Sequence, residues 1–305
     1  MRIGLSGGGA TVDRLIDQAQ KAEADGFTSM WYAGAVAGDP LVAMAVVGHG
    51  TKAIELGTSV LQTYTAHPTL MANRAATVTT AMGRPGLTLG VGPSHEPVIA
   101  GMHGLDFSHP GRHTEEYVQV LAPLLRGEAV SFTGEDFRVN AGPPPLPEGR
   151  DIPLLLAALG PRLLRVAGTY AQGTITWMAN AAAIESHVAP RLRAAADAAG
   201  RPAPRIVAGL PIAVHDDVDE AREVAARQFA IYGSLPNYQR ILAHGGVAGP
   251  AEAAIVGDEG AVGAQLEALV AAGVTDVWAA PFPVGDDRKA STARTRALLK
   301  DLLAV

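Results

Sequence analysis

Residues 54–96 read IELGTSVLQTYTAHPTLMANRAATVTTAMGRPGLTLGVGPSHE. The run 54–61 is apolar and β-branched, 67–82 carries helical spacing, and 87–91 is apolar again. Two short apolar strands joined by a helix form a βαβ unit whose parallel strands are buried on both faces, because the crossover helix has to cover the sheet. Thr58, Ser59, Gln62, Thr63, Ser94 and His95 then fall at or just past the carboxyl ends of those strands. That rim is where parallel α/β architectures hold ligands.

Working outward, strands are expected at 3–5, 29–32, 54–61, 87–91, 152–157, 174–177, 206–214 and 274–280, with helical periodicity between most of them. In the first interval Val12, Leu15, Ile16, Ala19 and Ala22 recur at three and four residues and Gly26 stops the run. Eightfold βα alternation over this length is the signature of a (β/α)8 TIM barrel, here an α/β fold expected as one domain over 1–305. A doubly wound sheet fits less well, since Gly7-Gly8-Gly9 lacks the GxGxxG spacing. Two intervals are too long for a plain crossover, so insertions are predicted after strands 4 and 7. The first covers 92–151, with a helix over 112–125 and SFTGEDFRV (131–139) alternating like an edge strand. The second covers 215–273, with at least two helices, 218–231 and 261–272. Both leave from strand carboxyl ends and should lie over the barrel mouth. GPPPLPEGR (142–150) is the nearest thing to a linker, held extended by its prolines. A final helix over about 292–303 carries Leu298, Leu299, Leu302 and Leu303 on one stripe, suited to closing against the first helix.

Composition narrows the function. With 48% apolar and 18% charged residues there is material for a large core. The absence of cysteine excludes disulfides, thiolate catalysis and Cys-ligated zinc. A formal charge of −6 without basic clusters argues against nucleic acid or an anionic membrane as partner. No apolar run reaches the length of a membrane span and Met1-Arg2-Ile3-Gly4-Leu5 enters a strand at once, so a cytoplasmic location is expected. The expected partner is a small-molecule substrate, and a homodimer is left open.

Gly160-Pro161-Arg162 follows the strand LLLAAL and opens a helix. Glycine allows close backbone approach, proline at the first helical position leaves the next amides free, and the helix terminus favours anions. The turn reads either as a phosphate cradle or as an ordinary strand-to-helix connection. His95 has a side chain that titrates near neutrality, suited to a proton donor or to a structural hydrogen bond. His109 and His113 have HxxxH spacing beside Glu115 and Glu116, but Pro110 and Gly111 interrupt the helix that would align the rings, so no metal is expected. Trp31, Tyr64 and Trp177 lie at strand ends, either as walls for a flat ring or as the top layer of the core. Arg162, Arg288 and Lys289 are basic residues that could meet an acidic ligand.

The segments LGTSVLQTY (56–64), HPTLMANRAATVTTAMGR (67–84), LGVGPSHE (89–96) and AALGPRLLRVAGTYAQGTITW (157–177) together resemble the luciferase-like monooxygenase superfamily, in its branch of coenzyme F420-dependent oxidoreductases. The resemblance implies a (β/α)8 barrel and a non-prolyl cis peptide at Ser59–Val60, on a bulge backing the deazaflavin ring. It implies cofactor contacts at Ser59, Val60, Gln62, Thr63, His95, Leu159, Gly160, Pro161 and Arg162, with His95 and Tyr64 as catalytic candidates. The implied activity is hydride exchange between coenzyme F420 and a small organic substrate. FMN, as in the superfamily's monooxygenases, is the alternative cofactor, and a barrel that binds a cofactor without turnover is a third reading. One departure limits the transfer. Many F420-dependent dehydrogenases carry Asp-His after the second strand, where this chain has Ala33-Gly34, so sugar-phosphate and secondary-alcohol dehydrogenase activities are not carried over.

Overall fold

The computed structural model describes residues 1–34, 36–147 and 151–304. Its central strands are β1 (Arg2–Gly7), β2 (Ser29–Tyr32), β3 (Glu55–Thr58), β4 (Leu87–Gly92), β5 (Leu154–Leu156), β6 (Gly173–Trp177), β7 (Arg205–Val214) and β8 (Asp276–Pro281). Neighbours pair in parallel in that order, and β8 returns to pair with β1. A closed parallel barrel with helices outside is the result, and all eight expected strands are in it.

The lumen is filled by side chains. Trp31, Leu155, Ile175, Val207 and Trp278 form one buried cluster inside the ring. Both indoles fit because Gly57 and Gly209 face them; a Cβ at either glycine would collide with the adjacent tryptophan ring. Trp31 is therefore core rather than cofactor wall, and its Nε1 donates to Ser29 Oγ at 2.9 Å.

The run expected as one strand over 54–61 is broken. Pairing of β3 with β4 matches Gly57 to Thr88, then resumes with Leu61 opposite Val91, so β3 uses one residue more than its partner: a β-bulge. The Ser59–Val60 peptide within it is cis. Thr58 fills the gap in the ladder, its Oγ1 donating to Gly90 O at 2.7 Å and accepting from Gly90 N at 2.8 Å.

Both insertions are present. The first contains a π-helix (Pro97–Met102), a helix (Pro110–Leu125) and a two-stranded antiparallel hairpin. SFTGEDFRV is thus two strands, Val130–Thr133 and Arg138–Ala141, rather than one. Its turn is fixed by buried Glu116, which accepts from the backbone N–H groups of Glu135, Asp136 and Phe137 at 2.8–3.0 Å. The helix begins at Pro110, so that proline starts it rather than interrupting it, while His109 stays outside. The second insertion holds more helices than expected. The run expected as 218–231 stops at Gln228 and restarts as Ala230–Ser234, followed by Pro236–His244, Pro250–Ala253 and Glu259–Ala271. It has a core of its own around Phe229, Leu242, Val256 and Phe282. Of the proline-rich stretch 142–150, residues 148–150 lie outside the described residues.

The final helix runs Arg288–Asp301, four residues earlier than its leucine stripe suggests, because Asp287 caps it by accepting from Lys289 N and Ala290 N. It closes on the loop that follows the first helix (Val12–Ala24), through Arg296 and Lys300 on Asp25 and Arg296 over the Phe27 ring. No helix among the described residues is long and apolar enough to cross a membrane.

Candidate functional site

At the carboxyl ends of the strands the hydrogen-bond accounting fails to close. The hydroxyls of Tyr32, Ser59, Thr63 and Thr176 are buried without a partner. They stand at or just beyond the ends of β2, β3 and β6. A buried orphan of this kind costs about 1–3 kcal/mol, and a ligand at the bulge would relieve Ser59 and Thr63, whereas Tyr32 and Thr176 alternate with the lumen residues Trp31, Ile175 and Trp177 and face the outer layer. Backbone geometry points the same way. Ala37, Ser94 and Met178 are the non-glycine residues with positive φ among those described, at 51°, 65° and 63°, and they follow β2, β4 and β6 on this same face.

The bulge is the centre of the site. Ser59 N donates to Tyr32 O at 2.8 Å and Thr63 N to Gly92 O at 3.0 Å, which pins both ends of the irregular segment. Val60 packs on Gly90 and Gly92, where added Cβ atoms would lie 3.2 and 3.0 Å from its methyl groups. It also meets the lumen cluster beside Ala157 and Trp177. Val60, Ala157 and Trp177 thus make an apolar floor, with the unpartnered Ser59 hydroxyl next to Val60 in the bulge. Gly34 passes so near that a Cβ there would sit 2.9 Å from Val60 O.

His95 extends from the loop after β4 and its ring lies 5.5 Å from that of Tyr238, on the insertion helix Pro236–His244. Burial lowers its pKa, so the imidazole is neutral at pH 7. Trp177 meets Trp278, Tyr232 and Phe229 at 5.0, 5.8 and 6.1 Å, so it belongs both to the floor and to the wall that the second insertion builds. Tyr64 turns the other way. It stacks on His113 at 3.8 Å and touches Phe107 at 5.3 Å, both in the first insertion. Burial, with Asp136 and Asp106 nearby, pushes its phenol up to about 12, so it stays protonated. His95 and Tyr64 are not brought together; each faces a different insertion.

On the β5 side, Gly160 is exposed, and a Cβ built there meets nothing within 4 Å. It is the N-cap of helix Pro161–Tyr170, with no side chain capping the first-turn amides. Free amides, open space and Pro161 at the first position suit an anion. Leu159 is held from behind, its carbonyl accepting from His187 Nε2 at 2.8 Å. Arg162 is already engaged, donating to Glu115 at 2.9 Å beside Arg165. The sequence pattern missed this pairing because its partners lie 47 residues apart. Arg288 and Lys289 open the last helix on the exposed surface. No group of three or more His, Cys, Asp or Glu among the described residues is arranged to hold a metal ion.

A family model for luciferase-like monooxygenases matches residues 2–276. The chain belongs to that family. Among its relatives, the F420-dependent glucose-6-phosphate dehydrogenase of Nakamurella multipartita is 29% identical over 257 residues, spanning 80% of this chain and 75% of that one. Among solved structures, the coenzyme F420-dependent tetrahydromethanopterin reductase of Methanopyrus kandleri superposes with a TM-score of 0.79 at 22% identity, covering 98% of this chain and 97% of that one. The oxygenating constituent of 3,6-diketocamphane monooxygenase from Pseudomonas putida, solved with FMN, superposes at 0.73 and 17% identity, covering 100% and 98%. Family membership thus brings enzymes of both cofactor types into the same fold.

Proposed function

We propose that this chain is an F420-dependent oxidoreductase acting on a small organic substrate. The observation that carries the reading is the pairing of two features on one rim: the Val60 floor with the unpartnered Ser59 and Thr63 hydroxyls on the same bulge segment, and the open, uncapped helix start at Gly160. A flat ring joined to a phosphate needs both. Coenzyme F420, when bound, supplies or accepts a hydride at its deazaflavin carbon. Val60, Ala157 and Trp177 would support one face of the ring, and Ser59 and Thr63 would hydrogen-bond its polar edge. The backbone of Leu159, Gly160 and Arg162 would hold the phosphate, with Pro161 setting the turn. Gln62 is half-buried and follows the bulge. His95, neutral and beside Tyr238, would give or take a proton at an imidazole nitrogen on the substrate side. The insertions would exclude water from the transfer.

Two other readings have support of their own. The likeness to an FMN-containing monooxygenase structure favours an FMN enzyme, and Ala33-Gly34 in place of Asp-His favours a barrel that binds without turnover. Titration of the purified protein with F420 and with FMN, followed by tryptophan quenching, separates the cofactors. Saturation by F420 supports the reading, and micromolar saturation by FMN alone overturns it. Single-turnover assays of the reduced coenzyme with enones, imines and nitroaromatics then test catalysis, and tight binding with complete silence would favour the non-catalytic barrel.

A further inference from the structure

Behind the Gly160 turn stands a buried histidine that the proposed hydride chemistry does not use. His187 lies in the π-helix Ile184–Val188, beyond β6, and its Nε2 donates to Leu159 O at 2.8 Å. That bond settles the tautomer: Nε2 carries the hydrogen, and Nδ1 is bare, buried and without a partner. Burial lowers the pKa against the bond to Leu159, and His244 and Arg191 lower it further, so the ring is neutral at pH 7. His244, at the end of the insertion helix Pro236–His244, stacks on it with ring centroids 3.7 Å apart and planes 19° apart. The residue after His244 is pinned in turn, Gly245 O accepting from Asn180 Nδ2 at 3.0 Å. His187 is thus held between the Leu159 carbonyl and the second insertion.

The Leu159–Gly160 peptide is trans, and a planar trans peptide points its C=O and N–H in opposite directions. With the Leu159 carbonyl drawn back to His187, the Gly160 N–H faces away from it, and no acceptor among the described residues takes that N–H. We propose that His187 is a positioning residue for the cofactor phosphate: without touching the ligand, it aims the Gly160 amide at the anion, and His244 keeps its ring in place. The inference rests on the reading above that the phosphate lies at Gly160. Pro161 has no N–H to offer, so the Gly160 amide matters more there than in an ordinary helix start. A flip of its peptide would present the Leu159 oxygen to the phosphate and turn attraction into repulsion.

The test is a set of tryptophan-quenching titrations of the full protein with two ligands, coenzyme F420 and the deazaflavin riboside that lacks the phosphate. His187→Leu removes the donor, and His187→Gln keeps one. His187→Leu should bind F420 about fivefold more weakly, the worth of one hydrogen bond, and bind the riboside as the wild type does. His187→Gln should recover most of that loss, and His244→Ala should show a smaller loss of the same kind. Equal weakening of both ligands by His187→Leu assigns the residue to packing alone and overturns the proposal, as does a loss in His187→Gln as large as in His187→Leu. Gly160→Asp tests the underlying reading separately. If it leaves the preference for the phosphorylated ligand intact, the phosphate lies elsewhere and both fall together; if it abolishes that preference and His187→Leu does not touch it, the proposal alone falls.

Discussion

The two rims of this barrel are built to opposite rules. At the amino-terminal rim charges are paired across strands: Asp276 accepts from Arg2 at 2.8 Å and Arg205 at 2.7 Å, and Glu55 from Arg2, from Arg205 at 3.0 Å and from Thr88 Oγ1 at 2.6 Å. Strands β1, β3, β7 and β8 are tied together there. Glu23 accepts from three successive amides, Lys52 to Ile54, and Arg84 donates to Thr51 and Ile54. At the carboxyl-terminal rim, hydroxyls are orphaned, backbone takes positive φ and a helix starts without a cap. A cavity of about 620 Å³ opens at the satisfied rim, lined by Arg2, Glu23, Glu55, Asp151 and Arg205 among others. Volume alone would place the site there. On the proposed function the site lies at the other end, where barrel enzymes work, and the lower rim serves stability.

The contrast can be broken from below. Asp276→Ala removes the buried carboxylate from Arg205 and Arg2 and leaves them Glu55 alone, so it should cost about 3 kcal/mol in urea unfolding. Cofactor affinity per folded molecule should stay unchanged, and a matching loss of affinity would mean that the rims are not separable.

From above, Gly160→Asp should reverse those effects. The extended backbone there, φ −95° and ψ 159°, accepts any residue, and aspartate is a favoured N-cap, so stability should hold or rise by a few tenths of a kcal/mol. Its carboxylate would occupy the free amides and repel a phosphate, weakening cofactor binding by about a hundredfold, roughly 2.7 kcal/mol. Near wild-type affinity in titration would put the phosphate elsewhere.

How much of this was readable in advance depends on the range of the interaction. Period-two and period-3.6 patterns name their elements locally, so the eight strands and both insertions were legible. The bulge was not legible from residue chemistry, because 54–61 is apolar throughout and the extra residue shows only in the register against β4. It entered through family resemblance. Trp31 sits at a strand end like a cofactor wall, yet its place is decided by Gly57 across the lumen. Arg162 reads as free for an anion in the sequence, yet Glu115, on the first insertion, holds it.

A milder change probes the floor. Val60→Gly removes the side chain packed on Gly90 and Gly92 and should cost about 1 kcal/mol of stability. Turnover should fall about tenfold, some 1.4 kcal/mol in the barrier, with cofactor affinity little altered. Loss of stability with unchanged specific activity per folded molecule would make Val60 simple packing.

The smallest effect is on pH. Burial lowers the pKa of His95, His113 and His187 in the fold, so between the folded and unfolded values the unfolded chain binds more protons and stability rises with pH. Their contribution is present above the unfolded value of about 6.5 and is lost as pH falls through the folded values. Thermal melts should show a lower Tm at pH 5 than at pH 7, and His187→Asn should flatten that slope; a flat wild-type profile would deny that these rings are buried neutral.

Cofactor binding at the carboxyl-terminal rim is tested most directly by a crystal structure of the protein soaked with coenzyme F420. The expected result is a ring over Val60 with its polar edge on Ser59 and Thr63 and its phosphate at Gly160. A coenzyme seated in the lower cavity among Arg2, Glu55 and Arg205, or one whose ring leaves those hydroxyls without partners, would contradict it.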